Sequence, residues 1–352
     1  MSEQATDTLA ARNEEDAIAP RVAAGQRRPN IFAQYSTEGR LAIFLVALIV
    51  FFLLLIGRKF VGRDNLESMA FQLPELGILS LAMMVSLLHG GVNLSIISTA
   101  NLSALTTAYL LTTALPGTSG LVWVAWLGGA IAAGFAVSVV VGLLNGAIIA
   151  YVGVSPILTT LGTMILLKGL ALGLTRGTVI SGFPPQIRFI GGGLVLGVPF
   201  GMFLLVTSIL LVAIILGRTP FGAAIYLMGS NERATQYSGI NTRHVILGIY
   251  VMSGILSALA GLVMLSRFNS ANAAYGESYL LVTVLAAILG GTDPYGGLGK
   301  VSGLVFAILI LQVVASAFNQ MELSQFLTLA IWGLILIVVS GITYLRSYRT
   351  TR

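Results

Sequence analysis

The reading of this chain turns on Thr219–Asn241, TPFGAAIYLMGSNERATQYSGIN, which lies between the apolar runs Met202–Gly217 and Val245–Leu265. The stretch is too polar and too often punctuated by glycine to continue either run. Asn231 can cap a short helix, because its side-chain oxygen accepts an N–H left free in the first turn. Glu232 then stands where the helix dipole favours an anion, and Gly239 supplies a left-handed stop. The expectation is a helix of about two turns presenting Glu232, Arg233, Gln236 and Tyr237. It would sit on the side of a membrane where Arg218, Arg233 and Arg243 gather. Two readings fit it: a surface linker between spans, or a docking helix for a cytoplasmic partner.

Composition places the stretch in a membrane protein. Of 352 residues, 56% are hydrophobic and 9% charged, whereas a soluble domain carries about 25% charged residues. The apolar runs are near-continuous over about twenty residues, which suits helices rather than the alternating strands of a barrel. The fold class is therefore an all-α integral membrane protein, with helices broken at glycine-rich turns. In such a chain the net charge of +6 is a topology signal, not a nucleic-acid footprint. With no cysteine and two histidines, thiol chemistry is excluded and a histidine metal site is not expected. No cofactor and no catalytic residue are expected, and membrane lipid is the surrounding partner. The forty-one glycines suit close contact between helices.

Residues 1–40 read as a mostly disordered cytoplasmic tail without the apolar core of a signal peptide. Residues 41–345 form the transmembrane domain, with the polar loop at 218–244, and 346–352 are a second cytoplasmic tail. The apolar runs give about ten spans: Leu41–Ile56, Pro74–Leu88, Ile96–Leu115, Leu121–Leu144, Ile157–Leu174, Met202–Gly217, Val245–Leu265, Tyr279–Leu289, Val301–Phe318 and Phe326–Tyr344. Tyr279–Leu289 is short enough to be a half-span. Asn145-Gly146 to Ser155-Pro156 reads as a connection and Arg176–Val198 as an external loop. Twelve of nineteen Lys and Arg residues fall on the side of the termini, which places both termini in the cytoplasm. Arg58, Lys59 and Arg63 run against that bias.

Two segments share a design. LLHGGVNLSIIS places Gly90, Gly91 and Asn93 directly after an apolar run, and AILGGTDPYGGLGK does the same with Gly290, Gly291, Asp293, Gly296 and Gly297. Such breaks are tolerated at membrane depth where the freed backbone faces protein or a watery cavity, and paired broken helices flank the route in transporters. Tight turns between spans are the simpler alternative. The second segment ends Gly-Leu-Gly-Lys, yet it is not a phosphate loop. Pro294 stands where that motif needs its first glycine and Val301 where it needs Ser or Thr. The chain does not power itself with ATP.

In combination these motifs resemble the permease subunits of bacterial sugar ABC importers of the ribose/xylose/galactose type. Gly90-Gly91-Val92-Asn93-Leu94-Ser95 matches their G-G-x-D-L-S turn, with Asn93 in place of Asp. Asn145-Gly146 with Pro156 to Leu161-Gly162 matches a second block. Thr219, Phe221-Gly222, Tyr226, Gly229, Asn231, Ala234 and Gly239-Ile240 match a third, with Ala223 where Arg is common. Leu289-Gly290-Gly291-Thr292 and Gly296-Gly297 to Gly299 match the last. The matches run in order over about Leu73 to Gly341 and are specific together, though each alone is weak.

The resemblance implies a multi-pass permease of the bacterial inner membrane, itself no enzyme, that passes a monosaccharide or related small polyol inward. It implies a homodimer with a second permease copy, a separate cytoplasmic ABC ATPase that uses the ATP, and a periplasmic sugar-binding protein. Gly229, Asn231, Glu232, Arg233, Ala234, Gln236, Tyr237 and Gly239 would then be the ATPase-coupling residues.

Asn93, Lys168 and Asp293 are candidates for the translocation path. Lys168 could instead snorkel, and Asn93 and Asp293 could close their turns. His89 reads as structural, because no acidic relay partner shares its span. The competing class is an ion-coupled secondary transporter, which would need carboxylates in its spans. Only Glu75 and Glu277, near span ends, keep that class open.

Overall fold

The computed structural model describes residues 37–350. Most of the 1–40 tail, and the last two residues of the 346–352 tail, lie outside the described residues. The described chain is helical, with two small strand pairs. α1 (Thr37–Ile56) leads through a short 3₁₀ turn into α2 (Arg63–Leu87). α2 begins well before the expected Pro74, because its first turns are polar and escape a hydropathy reading. Asn65 anchors them by donating to the Phe60 carbonyl (2.7 Å). From Leu73 to Leu87 every residue of α2 is buried.

α3 (Ile96–Thr113) and α4 (Gly120–Ala147) follow, and α4 runs on through a π-helical turn at Ile148–Val152. The expected connection at Asn145-Gly146 is thus helix. Asn145 is buried and bonded on both sides, donating to Ser95 Oγ (2.9 Å) and accepting from Thr163 Oγ1 (2.6 Å). Those tertiary bonds outweigh the turn preference of Asn-Gly. The chain turns at Gly153 instead, where φ is +79°.

α5 (Pro156–Thr175) is capped by Ser155. The expected external loop holds a short helix, α6 (Pro185–Gly192), between two strand pairs. β1 (Ile180–Ser181) pairs with β4 (Ser270–Ala271), and β2 (Leu194–Val195) with β3 (Val198–Pro199). Then come α7 (Phe200–Arg218), α8 (Pro220–Ser230), α9 (Glu232–Tyr237), α10 (Thr242–Phe268), α11 (Tyr279–Leu289), α12 (Val301–Gln320) and α13 (Gln325–Thr350).

α2 and α10 form the centre of the bundle. α10 packs on α2, α3, α4 and α6, and small residues let the backbones close up. Gly254 lies against the Ser138 carbonyl and Gly261 against that of Ala100, the packing expected where no hydrophobic force separates helix from lipid. The outer helices α1, α4, α5 and α7 turn large apolar side chains outward, among them Leu54, Leu121, Leu174 and Leu210. Seven helices of the described chain are long and apolar enough to cross a membrane, and two shorter apolar helices accompany them.

Candidate functional site

The polar stretch folds as two helices at a right of way between α7 and α10. Thr219 caps α8 by accepting from Gly222 N–H (3.2 Å). Asn231 caps α9, its Oδ1 accepting from Ala234 N–H (3.0 Å). Gly239, at φ +81°, ends the element in the left-handed region. Thr235 is the residue α9 buries. Glu232, Arg233, Ala234, Gln236 and Tyr237 are all exposed, Tyr237 at 92%. Gln236 donates to Glu232 (3.3 Å) and to Thr242 Oγ1 (3.2 Å), which ties α9 to the start of α10.

Against the C-terminal end of α8 the two glycine turns meet each other. The Leu88 carbonyl, ending the first apolar run, accepts from Gly297 N–H in the second turn (2.8 Å). Gly229, in the last turn of α8, lies against both groups, and a Cβ there would overlap the Leu88 carbonyl and the Gly297 amide. Gly90 abuts the Tyr295 carbonyl, and Gly296 abuts the Gly90 amide and Gly229. Tyr226 Oη donates to the Gly299 carbonyl (2.9 Å), a further tie between α8 and the second turn. Three segments far apart in the chain thus share one backbone junction. Gly290 and Gly291 serve elsewhere in the second turn, Gly290 against Gly303.

Asn93 and Asp293 close these turns. Asp293 Oδ1 accepts from Tyr295 N–H (2.9 Å). Asn93 Oδ1 accepts from Ser95 N–H (3.1 Å) and Oγ (2.7 Å), while its Nδ2 donates to Ser253 Oγ (2.9 Å). With Asn145 and Thr163 they form a buried polar chain, Ser253–Asn93–Ser95–Asn145–Thr163, from α10 to α5. Sequence reading missed this chain, since its members are unremarkable singly. His89 lies over Gly91 and edge-on to Tyr250, ring centroids 5.6 Å apart. Burial pushes its imidazole down to about 4, opposed in part by the Ser86 backbone, so it is neutral at physiological pH.

Away from that junction two ion pairs occupy the two carboxylates expected near span ends; Glu75 in fact lies midway along α2, because the helix begins at Arg63. Glu75, fully buried, pairs with Arg267 (2.8 Å), whose guanidinium also donates to the Phe71 carbonyl (3.3 Å) and lies over the Phe268 ring. Tyr279 Oη reaches Glu75 at 3.5 Å. Lys168 pairs with Glu277 (2.8 Å), both about half exposed, on the wall of a cavity of about 550 Å³ between α3, α5 and α11. Lys168 therefore faces a cavity with a partner rather than snorkelling alone. Both carboxylates that an ion-coupled mechanism could use hold a cation of the protein's own.

A family model described as "Branched-chain amino acid transport system / permease component" matches residues 65–340. The ribose import permease protein RbsC of Bacillus subtilis (strain 168) is 31% identical over 300 residues, covering 85% of this chain and 89% of its own. The autoinducer 2 import system permease protein LsrD of Salmonella typhi is 30% identical over 319 residues, covering 88% and 92%. The RbsC of Haemophilus influenzae is 32% identical over 309 residues, covering 87% and 92%. No solved structure matches.

Proposed function

The chain belongs to the family of ABC importer permease components, and we propose that it passes a monosaccharide or related small polyol from a periplasmic binding protein into the cytoplasm. It is a multi-pass transport subunit of the bacterial inner membrane, with the ATPase on a separate subunit. Sugar is favoured over the amino acid in the family's description because relatives matching most of the chain are named for ribose import.

The ion-pairing of Glu75 and Glu277 supports the ATP-driven reading over the ion-coupled one. ATP is bound by the partner ATPase, and the permease works with a second copy of itself. Ten crossings follow when α3, α11 and α13 join the seven longer helices, with both termini cytoplasmic.

The observation that carries the proposal is α9: a capped, exposed helix that directly follows Gly229–Ser230, the end of α8 that packs on the junction of both glycine turns. An ATPase that grips Glu232, Arg233, Gln236 and Tyr237 and closes would move α9 as a rigid body. Gly229, packed on Leu88 and Gly297 without intervening side chains, would pass that movement to the α2–α3 and α11–α12 breaks together. Asn93 and Asp293 fix the shape of those turns beside the route, and Lys168 faces it. The test is the double charge reversal Glu232→Lys/Arg233→Glu in the reconstituted importer. Uptake and binding-protein-stimulated ATP hydrolysis are expected to separate while the protein stays folded. Wild-type uptake with wild-type stimulation would sink the docking assignment.

A further inference from the structure

α2 and α12 share a row of side-chain polar contacts within the apolar bundle. Ser316 Oγ donates to Asn65 Oδ1 (2.8 Å), and Gln312 Nε2 donates to Gln72 Oε1 (3.4 Å). Polar groups in spanning helices are costly and are retained where they serve a route or a site. The Gln72–Gln312 end of this row opens on a cavity of about 420 Å³ bounded by α2, the start of α11, α12 and the start of α13, a size in the range of small-molecule pockets. Its lining includes Gln72, Gln312 and Asn319 with the aromatic Phe318, Trp332 and Tyr279, whose hydroxyl turns to Glu75. Gln312 and Trp332 are 4% and 6% exposed, and the Trp332 and Phe318 rings lie 5.8 Å apart at 54°.

We infer that this cavity binds the solute in transit, a neutral polyhydroxylated molecule of monosaccharide size; the inference rests on the sugar-importer reading above. A sugar ring offers an apolar C–H face and a rim of hydroxyls that both donate and accept. An indole beside a phenyl ring takes the first. Primary amides, each with donor and acceptor atoms, take the second. No charged side chain lines the cavity among the described residues, which suits an uncharged solute. The larger cavity at Lys168 differs: its charges satisfy each other, and apart from Ser98 and Asn101, whose amide donates to the Ala273 and Tyr275 carbonyls, its remaining wall is apolar. The site also lies at the start of α11, the short helix that ends in the second glycine turn, so movement of that turn reaches it. Discontinuous helices of this kind commonly border the binding site in transporters.

The test uses the importer reconstituted with its ATPase and binding protein, measuring D-ribose taken up per ATP hydrolysed. Gln312→Leu and Trp332→Leu are expected to lower that ratio about tenfold, because each removes a contact the hydroxylated ring needs. Trp332→Phe, which keeps an aromatic face, is expected to stay within about threefold. A ratio unchanged in both leucine variants would overturn the site. Failure of the wild-type importer to take up any pentose, hexose or polyol would instead overturn the sugar reading beneath it. A chain carrying Trp123→Phe and Trp126→Phe keeps Trp332 as its sole tryptophan. Its emission is expected to change saturably with D-ribose, and no change at levels that saturate uptake counts against the site directly.

Discussion

At Gly229 a single methyl group would meet the Leu88 carbonyl oxygen and the Gly297 amide at once, so Gly229→Ala must pry apart the bond joining the two glycine turns. The expected cost is about 1–3 kcal/mol, the usual range for overpacking a filled site. It should appear both as a lower melting temperature and as ATP hydrolysis that no longer drives uptake. The Glu75–Arg267 pair gives a second residue-scale test. Removing one partner strands a buried charge, so Arg267→Met is expected to cost about 3–5 kcal/mol, and adding Glu75→Gln should recover much of that. Thermal unfolding of the two variants side by side checks it.

His89 supplies a pH test. Its folded pKa of about 4 lies below the ordinary value near 6.5. Between these values the unfolded chain binds more protons, so stability falls as pH drops through the window and levels off beneath it. Melting temperatures of the detergent-solubilised protein between pH 7 and pH 5 should show this slope, and His89→Gln should flatten it.

At the scale of elements, α9 was the most legible part of the molecule because its signals are local. A capping Asn, an acidic first turn and a left-handed Gly sit within nine residues of sequence and need no distant partner. Asn231→Ala is expected to weaken α9 by about 1 kcal/mol and to reduce ATPase stimulation while leaving the bundle intact; hydrogen exchange of Ala234–Tyr237 would register it. The two glycine turns were legible one by one, from Gly pairs after apolar runs. That they are halves of one junction was not, since nothing near Gly90 in sequence announces Tyr295 or Gly229. The same limit hid the polar chain through Asn145, whose Asn-Gly dipeptide reads as a turn until Ser95 and Thr163 arrive to hold it in a helix. The polar opening of α2 misled in the other direction, because hydropathy cannot see a helix whose first turns are polar and tied by Asn65 to the Phe60 carbonyl.

At the scale of the whole molecule, glycines let the central helices approach closely while leucines of the outer helices stay exposed, the arrangement that lipid selects, and composition points to a membrane protein with close helix contacts. The expected consequence is that the tagged chain, purified in mild detergent, retains an ATPase. Mass identification of the bound proteins checks this, and a wild-type preparation without an ATPase would count against the assembly proposed for it.

The junction also bears on how the protein is made. Its three strands come from Leu88–Gly90, Gly229–Ser230 and Tyr295–Gly297, so the last of them leaves the ribosome when most of the chain is already inserted. At about 5–20 residues per second, the junction packed on the end of α8 is incomplete for several seconds after α9 has emerged. A half-synthesised permease therefore presents α9 before its two glycine turns are joined, and an ATPase arriving early would have only one of them to move.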